Sequence, residues 1–485
     1  MKTRFRYVVC AIVTLMMCSC SKDYKNVIPA DSDAVVMINL MRVADKADLA
    51  HSRAIGLAKE NMGIVVNPKD KGKAMGYLDD PSKIGIDFRE PACLFHRADG
   101  SYGLVMKVGD DGDLENFLAV LRGNGVVSKT TERDGVKCCK LLDEVALLYD
   151  SRAVMLYANS MMSAGEKDMR AALALMKQDE DMSYKSTYTF ASDADDKDIV
   201  LMSNNMRRGL QDVLPKDTPL PFLSALGDMA SFVSVDFTDG KIAVETELLP
   251  ESEKDKAVMK EMDEKLHKIN GIFNGYDLSC QDTPVWAYMG MDGKWLLSKL
   301  KENSACKEYL FMLERCIDIE QMIAAVDGDM VVAMSPNREH SYTAVAQVKN
   351  TDFMKDVDYW MQDMKEYGAS MNRVSATDYC LNAGGAVRLF WGLKNNNLYL
   401  STIGRPEHES GTMIRHIVKN DDITDYWLYA YIGGSALPAD SQPQMLGMRM
   451  AGFESVVIKS KSFGKMSIDV NMKDKSQNVL KGLLD

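Results

Sequence analysis

Short apolar runs separated by turn residues recur along this chain and set most of its expected elements. Asp33-Ala34-Val35-Val36-Met37-Ile38-Asn39-Leu40 reads as an apolar strand leading into a helical pattern. Pro91 to His96 and Tyr102 to Val108 are β-rich runs on either side of Asp99-Gly100, which predicts a hairpin. Asp113 then stands ahead of Leu114, Phe117, Leu118 and Leu121. That is the spacing of an amphipathic helix, with an Asp able to cap its first turn. A further hairpin is expected from Val136 to Tyr149 and Ala153 to Tyr157, turning at Asp150-Ser151.

A similar order of runs follows later in the chain. Pro284 to Met291 precedes a helical stretch from Trp295 to Leu300. Asp329 to Met334 and Tyr342 to Val348 predict a hairpin turning near Arg338-Glu339. Asp352 precedes Phe353, Val357, Trp360, Met361 and Met364 at helical spacing, and Ala386 to Leu393 pairs with Leu398 to Ile403 across Asn395-Asn396. Asp198 to Met202 matches Asp425 to Tyr429, and the run from Phe232 to Val244 matches Phe453 to Ile468. Stripes at Val258, Met262, Leu266 and Ile269, and at Val479, Leu480, Leu483 and Leu484, close the two halves with helices. The pattern predicts an α+β fold: a tandem duplication of a unit with antiparallel sheet hairpins and packed helices. Copy one is expected over residues 30–270 and copy two over 283–485, with a linker from Asn270 to Pro284.

Composition fits a folded body: 46% of the 485 residues are hydrophobic and 26% are charged. A formal charge of −12 repels phosphates, so nucleic acid is not an expected partner. Beyond Cys20 lie Cys93, Cys138, Cys139, Cys280, Cys306, Cys316 and Cys380, an odd set that cannot pair completely. None forms C-x-x-C. Cys138 and Cys139 are neighbours in an expected strand and should face opposite ways. A Cys306–Cys316 disulfide and buried free thiols are both compatible with the sequence. The 35 methionines read as core filler.

The first twenty residues carry the most specific signal. Lys2, Arg4 and Arg6 precede an apolar run from Val8 to Met17, and Ser19 stands before Cys20. Ten helical residues span about 15 Å, roughly half of a hydrocarbon core of about 30 Å, so the run is too short for a permanent anchor. Residues 1–19 read as a lipoprotein signal peptide, cut before Cys20, which then carries acyl chains; residues 20–29 read as a lipidated tether. The competing reading is a plain secretory signal with Cys20 incidental. No other stretch reaches 18 consecutive apolar residues. The expected placement is an outer-membrane lipoprotein, facing the periplasm or the cell surface.

Cys20, Ile28-Pro29-Ala30-Asp31, the strand Ala34 to Asn39 and the recurring hairpins together resemble a family of Bacteroidetes cell-envelope lipoproteins of uncharacterised function. Ser21-Lys22-Asp23 resembles the short charged signal that exports such proteins to the outer face. The resemblance implies a membrane-tethered, non-enzymatic protein, and it brings no active residues to transfer.

No G-x-S-x-G, H-E-x-x-H, G-x-x-x-x-G-K-[ST] or G-x-G-x-x-G occurs, so no catalytic residue, cofactor or metal site is expected. His408 and His416 are eight apart, too far for two ligands on one helical turn. Asp110-Asp111-Gly112-Asp113 lacks the alternating ligands of a calcium loop and reads as a helix start. All five tryptophans follow residue 285. Trp286, Trp360 and Trp427 occupy expected core positions; Trp295 and Trp391 are less constrained and are candidates for stacking on a ligand ring. The expected function is binding or scaffolding in the cell envelope, with an envelope protein or glycan as partner. The alternatives are a surface glycan- or peptide-binding protein using those aromatics, or a carboxylate-dependent hydrolase of envelope glycan.

Overall fold

The computed structural model describes residues 23–159, 165–190, 196–204, 229–270, 285–314, 317–335, 341–364, 368–383, 387–394, 396–402, 404, 423–434, 444–445, 448–449 and 452–484. The chain divides into two compact units, Met1–Asn204 with Leu484–Asp485, and Asn205–Leu483.

The first unit is built on eight strands: β1 (Ser32–Ile38), β2 (Ala92–Arg97), β3 (Ser101–Lys107), β4 (Thr131–Arg133), β5 (Val136–Leu141), β6 (Val145–Tyr149), β7 (Ala153–Asn159) and β8 (Ile199–Ser203). Their antiparallel order is β8-β1-β2-β3-β7-β6-β5-β4. Val35 and Met37 of β1 are buried while Ala34, Val36 and Ile38 are half-buried, the period-two signature of a strand with one better-covered face. Helix α1 (Asp111–Gly123) lays Leu114 and Leu118 against Cys139, Leu147, Tyr149 and Val154. Asp110, not Asp113, caps it by accepting the Asp113 amide at 2.8 Å. Gly85 (φ +84°) makes the junction: a Cβ there would meet the Leu114 nitrogen at 2.3 Å, and its carbonyl accepts the amides of Gly109 and Asp110. Helix α2 (Glu166–Lys177) packs on β6 and β7 with Met169, Ala172, Leu175 and Met176 buried.

The chain enters this unit in a packed state. Residues 23–29 were expected to belong to a tether, yet Tyr24, Lys25, Asn26, Val27 and Ile28 are all buried. The Tyr24 hydroxyl donates to the Pro91 carbonyl at 2.8 Å, and Gln178 Nε2 donates to the carbonyls of Asn26 and Ile28. Asp23 accepts the Lys25 amide at 3.0 Å and pairs with Lys185 at 2.9 Å.

The second unit carries β9 (Ala230–Thr238), β10 (Lys241–Leu249), β11 (Val285–Asp292), β12 (Val326–Ser335), β13 (Ser341–Val348), β14 (Ala369–Arg373), β15 (Asp378–Ala383), β16 (Val387–Lys394), β17 (Asn397–Ser401), β18 (Leu428–Gly433), a short ladder of β19 (Gln444–Met445) with β20 (Met448–Arg449), then β21 (Phe453–Ser462) and β22 (Lys465–Met472). Its main antiparallel order is β9-β10-β22-β21-β18-β11-β12-β13-β17-β16-β15-β14. One face buries Trp286, Tyr288, Val331, Val345, Tyr399 and Tyr429. The other packs Phe353, Trp360, Met371, Tyr379, Trp391 and Leu398 with helices that include α3 (Gly293–Glu302), α4 (Ser304–Glu314), α5 (Ile319–Ala324) and α6 (Val357–Asp363).

The expected α+β tandem duplication is therefore corrected. The described chain is mostly antiparallel sheet, and it is not two self-contained copies laid end to end. Strands β9 and β10, read in the sequence as the end of copy one, lie in the second unit, where Lys241–Glu247 pairs with Asn471–Lys465 of β22. The run from β18 to β14 follows the order of the first unit, but the block β9-β10-β22-β21 has no counterpart among the first unit's described strands. Hydrophobic period reveals strands and their local hairpins; it does not reveal which distant strand completes a sheet.

The described cysteines are thiols, most of them packed in the interior. Cys93, Cys138, Cys139 and Cys380 are buried and Cys306 is half-buried, and none of the five is in a disulfide. Burial pushes the Cys139 thiol up to about 11. Cys280 and Cys316 lie outside the described residues.

Two tests follow from this packing. Trp391 is fully enclosed, stacked on Tyr379 at 4.6 Å and donating to Met371 Sδ at 3.3 Å. Trp391→Ala should lose about 3–5 kcal/mol of stability in urea unfolding, whereas an unchanged midpoint would contradict the packing. Burial alone would raise the Asp23 carboxyl, but the Lys25 amide and the Lys185 ammonium outweigh it and hold it below the ordinary carboxylate range. Its contribution is present above the unfolded value and lost as pH falls through the depressed one. Amide exchange at Lys25 to Ile28 should therefore accelerate below about pH 4, ahead of exchange in β1.

Candidate functional site

Among the described residues, the buried carboxylates are occupied by structural bonds. Asp198 receives Arg42 at 3.1 Å and Lys46 at 2.5 Å. Asp329 receives the Asn270 amide at 2.9 and 3.1 Å and the Tyr288 hydroxyl at 3.4 Å. Asp378 receives the Tyr399 hydroxyl at 3.0 Å.

An open cleft of about 370 Å³ lies on one face of the block β9-β10-β22-β21. Cross-strand register builds it. Glu247 stands opposite Phe232 on one side and Lys465 on the other; Glu245 stands opposite Ser467, which stands opposite Lys459. Lys461 lies in the irregular step of β21 between Ser460 and Ser462, and it lines the cleft together with Lys459. Lys465 pairs with Glu247 at 2.8 Å, Lys459 with Asp469 at 3.4 Å, and Lys461 with Asp425 at 3.5 Å.

Tyr426 completes the wall. The Lys461 ammonium lies 5.3 Å from its ring centroid. The adjoining Trp427 fixes the segment: its amide donates to the Ser460 carbonyl at 3.0 Å and its indole N–H to Ser460 Oγ at 2.8 Å. Behind Tyr426, Tyr429 meets it edge-on at 6.1 Å and stacks on Trp286 at 5.7 Å. The lining thus combines ammonium donors, carboxylate and hydroxyl acceptors and two rings, Phe232 and Tyr426, with packed aromatic residues behind Tyr426. It suits a ligand with one anionic group, several hydroxyls and an apolar face.

A second cavity of about 560 Å³ in the first unit is lined by Met41, Pro81, Ile86 and Phe88 together with Asp80, Asp87 and Arg89. Its one cationic side chain is paired within the lining. Arg89 donates to both Asp87 oxygens at 2.8 and 3.1 Å, and this holds the Asp87 carboxyl low.

The candidates drawn from sequence fall elsewhere. Trp295 is 6% exposed and Trp391 is 0% exposed, so both rings are core and neither presents a face to a ligand. Trp391 is enclosed because β15 and β17 flank its strand and Trp360 packs over it at 6.0 Å. Of the export signal, Asp23 is part of the packed entry segment; Cys20, Ser21 and Lys22 lie outside the described residues, as do His408 and His416. The cleft residues Phe232, Tyr426, Lys459, Lys461 and Lys465 were not singled out by motif. Their one sequence signal is three lysines within seven positions, at strand spacing, in a chain of net charge −12.

Among the described residues, no helix is long and apolar enough to cross a membrane, and no group of His, Cys, Asp or Glu is arranged to hold a metal ion. No curated protein matches this chain. Among solved structures, crystal form III of TP0453 is similar at 9% identity and a TM-score of 0.30, covering 51% of this chain and 90% of that one. Crystal form I of TP0453 gives 10% identity and a TM-score of 0.28, covering 51% and 89%. Neither overlap is close enough to carry a shared fold or function. The family comparison is decisive where these are not: the model described as "Domain of unknown function (DUF4836)" matches residues 24–431, and the chain belongs to that family.

Proposed function

We propose that this chain is a lipid-anchored cell-envelope protein that acts by binding rather than by catalysis. The anchor is Cys20, acylated after removal of residues 1–19, with Ser21-Lys22-Asp23 directing the protein to the outer membrane, on its periplasmic or cell-surface side. Removal of Lys2, Arg4 and Arg6 leaves the body more acidic still, which disfavours nucleic acid and makes acyl chains the means of staying at a membrane.

One observation carries the binding reading: the cleft whose lysines and rings share a face on β9-β10-β22-β21. The ion pairs within it are open to exchange. Lys461 and Lys465 have side chains 63% and 66% exposed, and solvent-exposed pairs are worth about 0–1 kcal/mol. An incoming carboxylate displaces Glu247 from Lys465 at little cost, while a sugar face lies on Tyr426 or Phe232. The ligand class this supports is an anionic saccharide of the envelope surface.

Two measurements test the proposal. Cys20→Ala should move the protein from the membrane to the soluble fraction, with loss of acyl mass from the N-terminal peptide; an unacylated native chain would refute the anchor. Oligogalacturonide should bind in titration calorimetry while its neutral counterpart does not. Lys465→Ala should weaken that binding about ten-fold, the equivalent of one lost charge-assisted hydrogen bond. Equal binding by the variant would exclude the cleft.

A further inference from the structure

We infer that the surface of the first unit around Met182 and Tyr188 lies against the lipid headgroups, so that the body is docked on the membrane in a fixed orientation. The inference rests on the acylated Cys20 proposed above.

Reach decides it. The packed body begins at Asp23, whose carboxylate is held by Lys185 at 2.9 Å. Only three residue steps separate Asp23 from Cys20, and three extended residues span at most about 10 Å. The acyl chains of Cys20 lie in the hydrocarbon, and the headgroup layer above them is roughly 5–7 Å thick. Crossing that layer consumes most of the available chain. Asp23 is therefore confined to the outer edge of the headgroups, and whatever surrounds it meets them.

What surrounds Asp23 suits that contact. Lys185 belongs to the 3₁₀ turn Tyr184–Ser186, which follows a second turn, Glu180–Met182. Both are tied to the entry segment: the Tyr184 amide donates to the Ile28 carbonyl at 2.8 Å, and the Ala30 amide to the Met182 carbonyl at 3.2 Å. On these tied turns and just beyond them, Met182 is 64% exposed and Tyr188 48% exposed, although both are large hydrophobic side chains. A tyrosine ring and a thioether are at home in the interfacial layer, where an apolar body meets a wet edge. The charges nearby are mixed: Asp179, Glu180 and Asp181 are acidic, and Lys185 is basic. The docking is thus hydrophobic and covalent in origin, with no attraction to anionic lipid; phosphatidylcholine suffices.

The test uses the full acylated chain on phosphatidylcholine vesicles, followed by hydroxyl-radical footprinting of Met182 and Tyr188. Its partner is the same acylated chain with about 12 Gly/Ser residues inserted between Lys22 and Asp23, which adds roughly 20 Å of reach. The expected result is several-fold slower oxidation at both positions in the native chain than in the spacer variant. Equal oxidation, with acylation confirmed by intact mass, overturns the docked orientation and leaves the anchor standing. An unacylated N-terminus overturns the anchor, and this inference with it.

Discussion

Cross-strand pairing between distant parts of the chain is the constraint on which the second unit depends. Strand β10 closes on β22 across more than two hundred residues of sequence, seven residue pairs in unbroken register from Lys241↔Asn471 to Glu247↔Lys465. That junction joins the hairpin β9–β10 to the hairpin β21–β22, and β21 in turn joins β18 and the rest of the sheet. Because side chains alternate along a strand, a slip of one residue between β10 and β22 would leave Glu245 and Glu247 on the opposite face from the lysines of the cleft. The register that holds the unit together is also what assembles its candidate binding surface.

Burial on both faces explains why aromatic residues are so unevenly available. On one side Trp286 is sandwiched between Tyr429 and Tyr431, each at 5.7 Å; on the other Trp391 lies against Tyr379 and Trp360. These rings are consumed by packing. Tyr426 differs because it sits just ahead of β18, at the margin of the sheet, where only one of its sides is needed for support. Tyr426 thus keeps a side for the cleft, whereas the enclosed rings are structural.

Local pairing was legible in the sequence. The hairpins at Asp99-Gly100 and Asp150-Ser151 and the strand at Ala34 to Ile38 are present as alternation and turn residues foretell. Helix α1 is present too, though its cap sits at Asp110 rather than Asp113. What was not legible was long-range. Nothing in the residues of β9 and β10 announces β22 as their neighbour, so chain order alone puts them in the wrong half. Trp391 looked unconstrained because periodicity reports one strand at a time, while enclosure depends on the flanking strands and the helix above. The entry segment shows the same limit: Tyr24, Val27 and Ile28 carry the apolar content of a core element, but a short run beside a signal sequence reads as linker.

The packed thiols carry a consequence of their own. Cys93, Cys138, Cys139, Cys306 and Cys380 are unbridged, and all but Cys306 are shut away from solvent, with Cys139 held firmly in its protonated form. A protonated, enclosed sulfur is a poor nucleophile and a poor target for oxidants. The described fold thus takes none of its strength from a covalent crosslink. A reductant therefore has nothing to break at any of these five sulfurs.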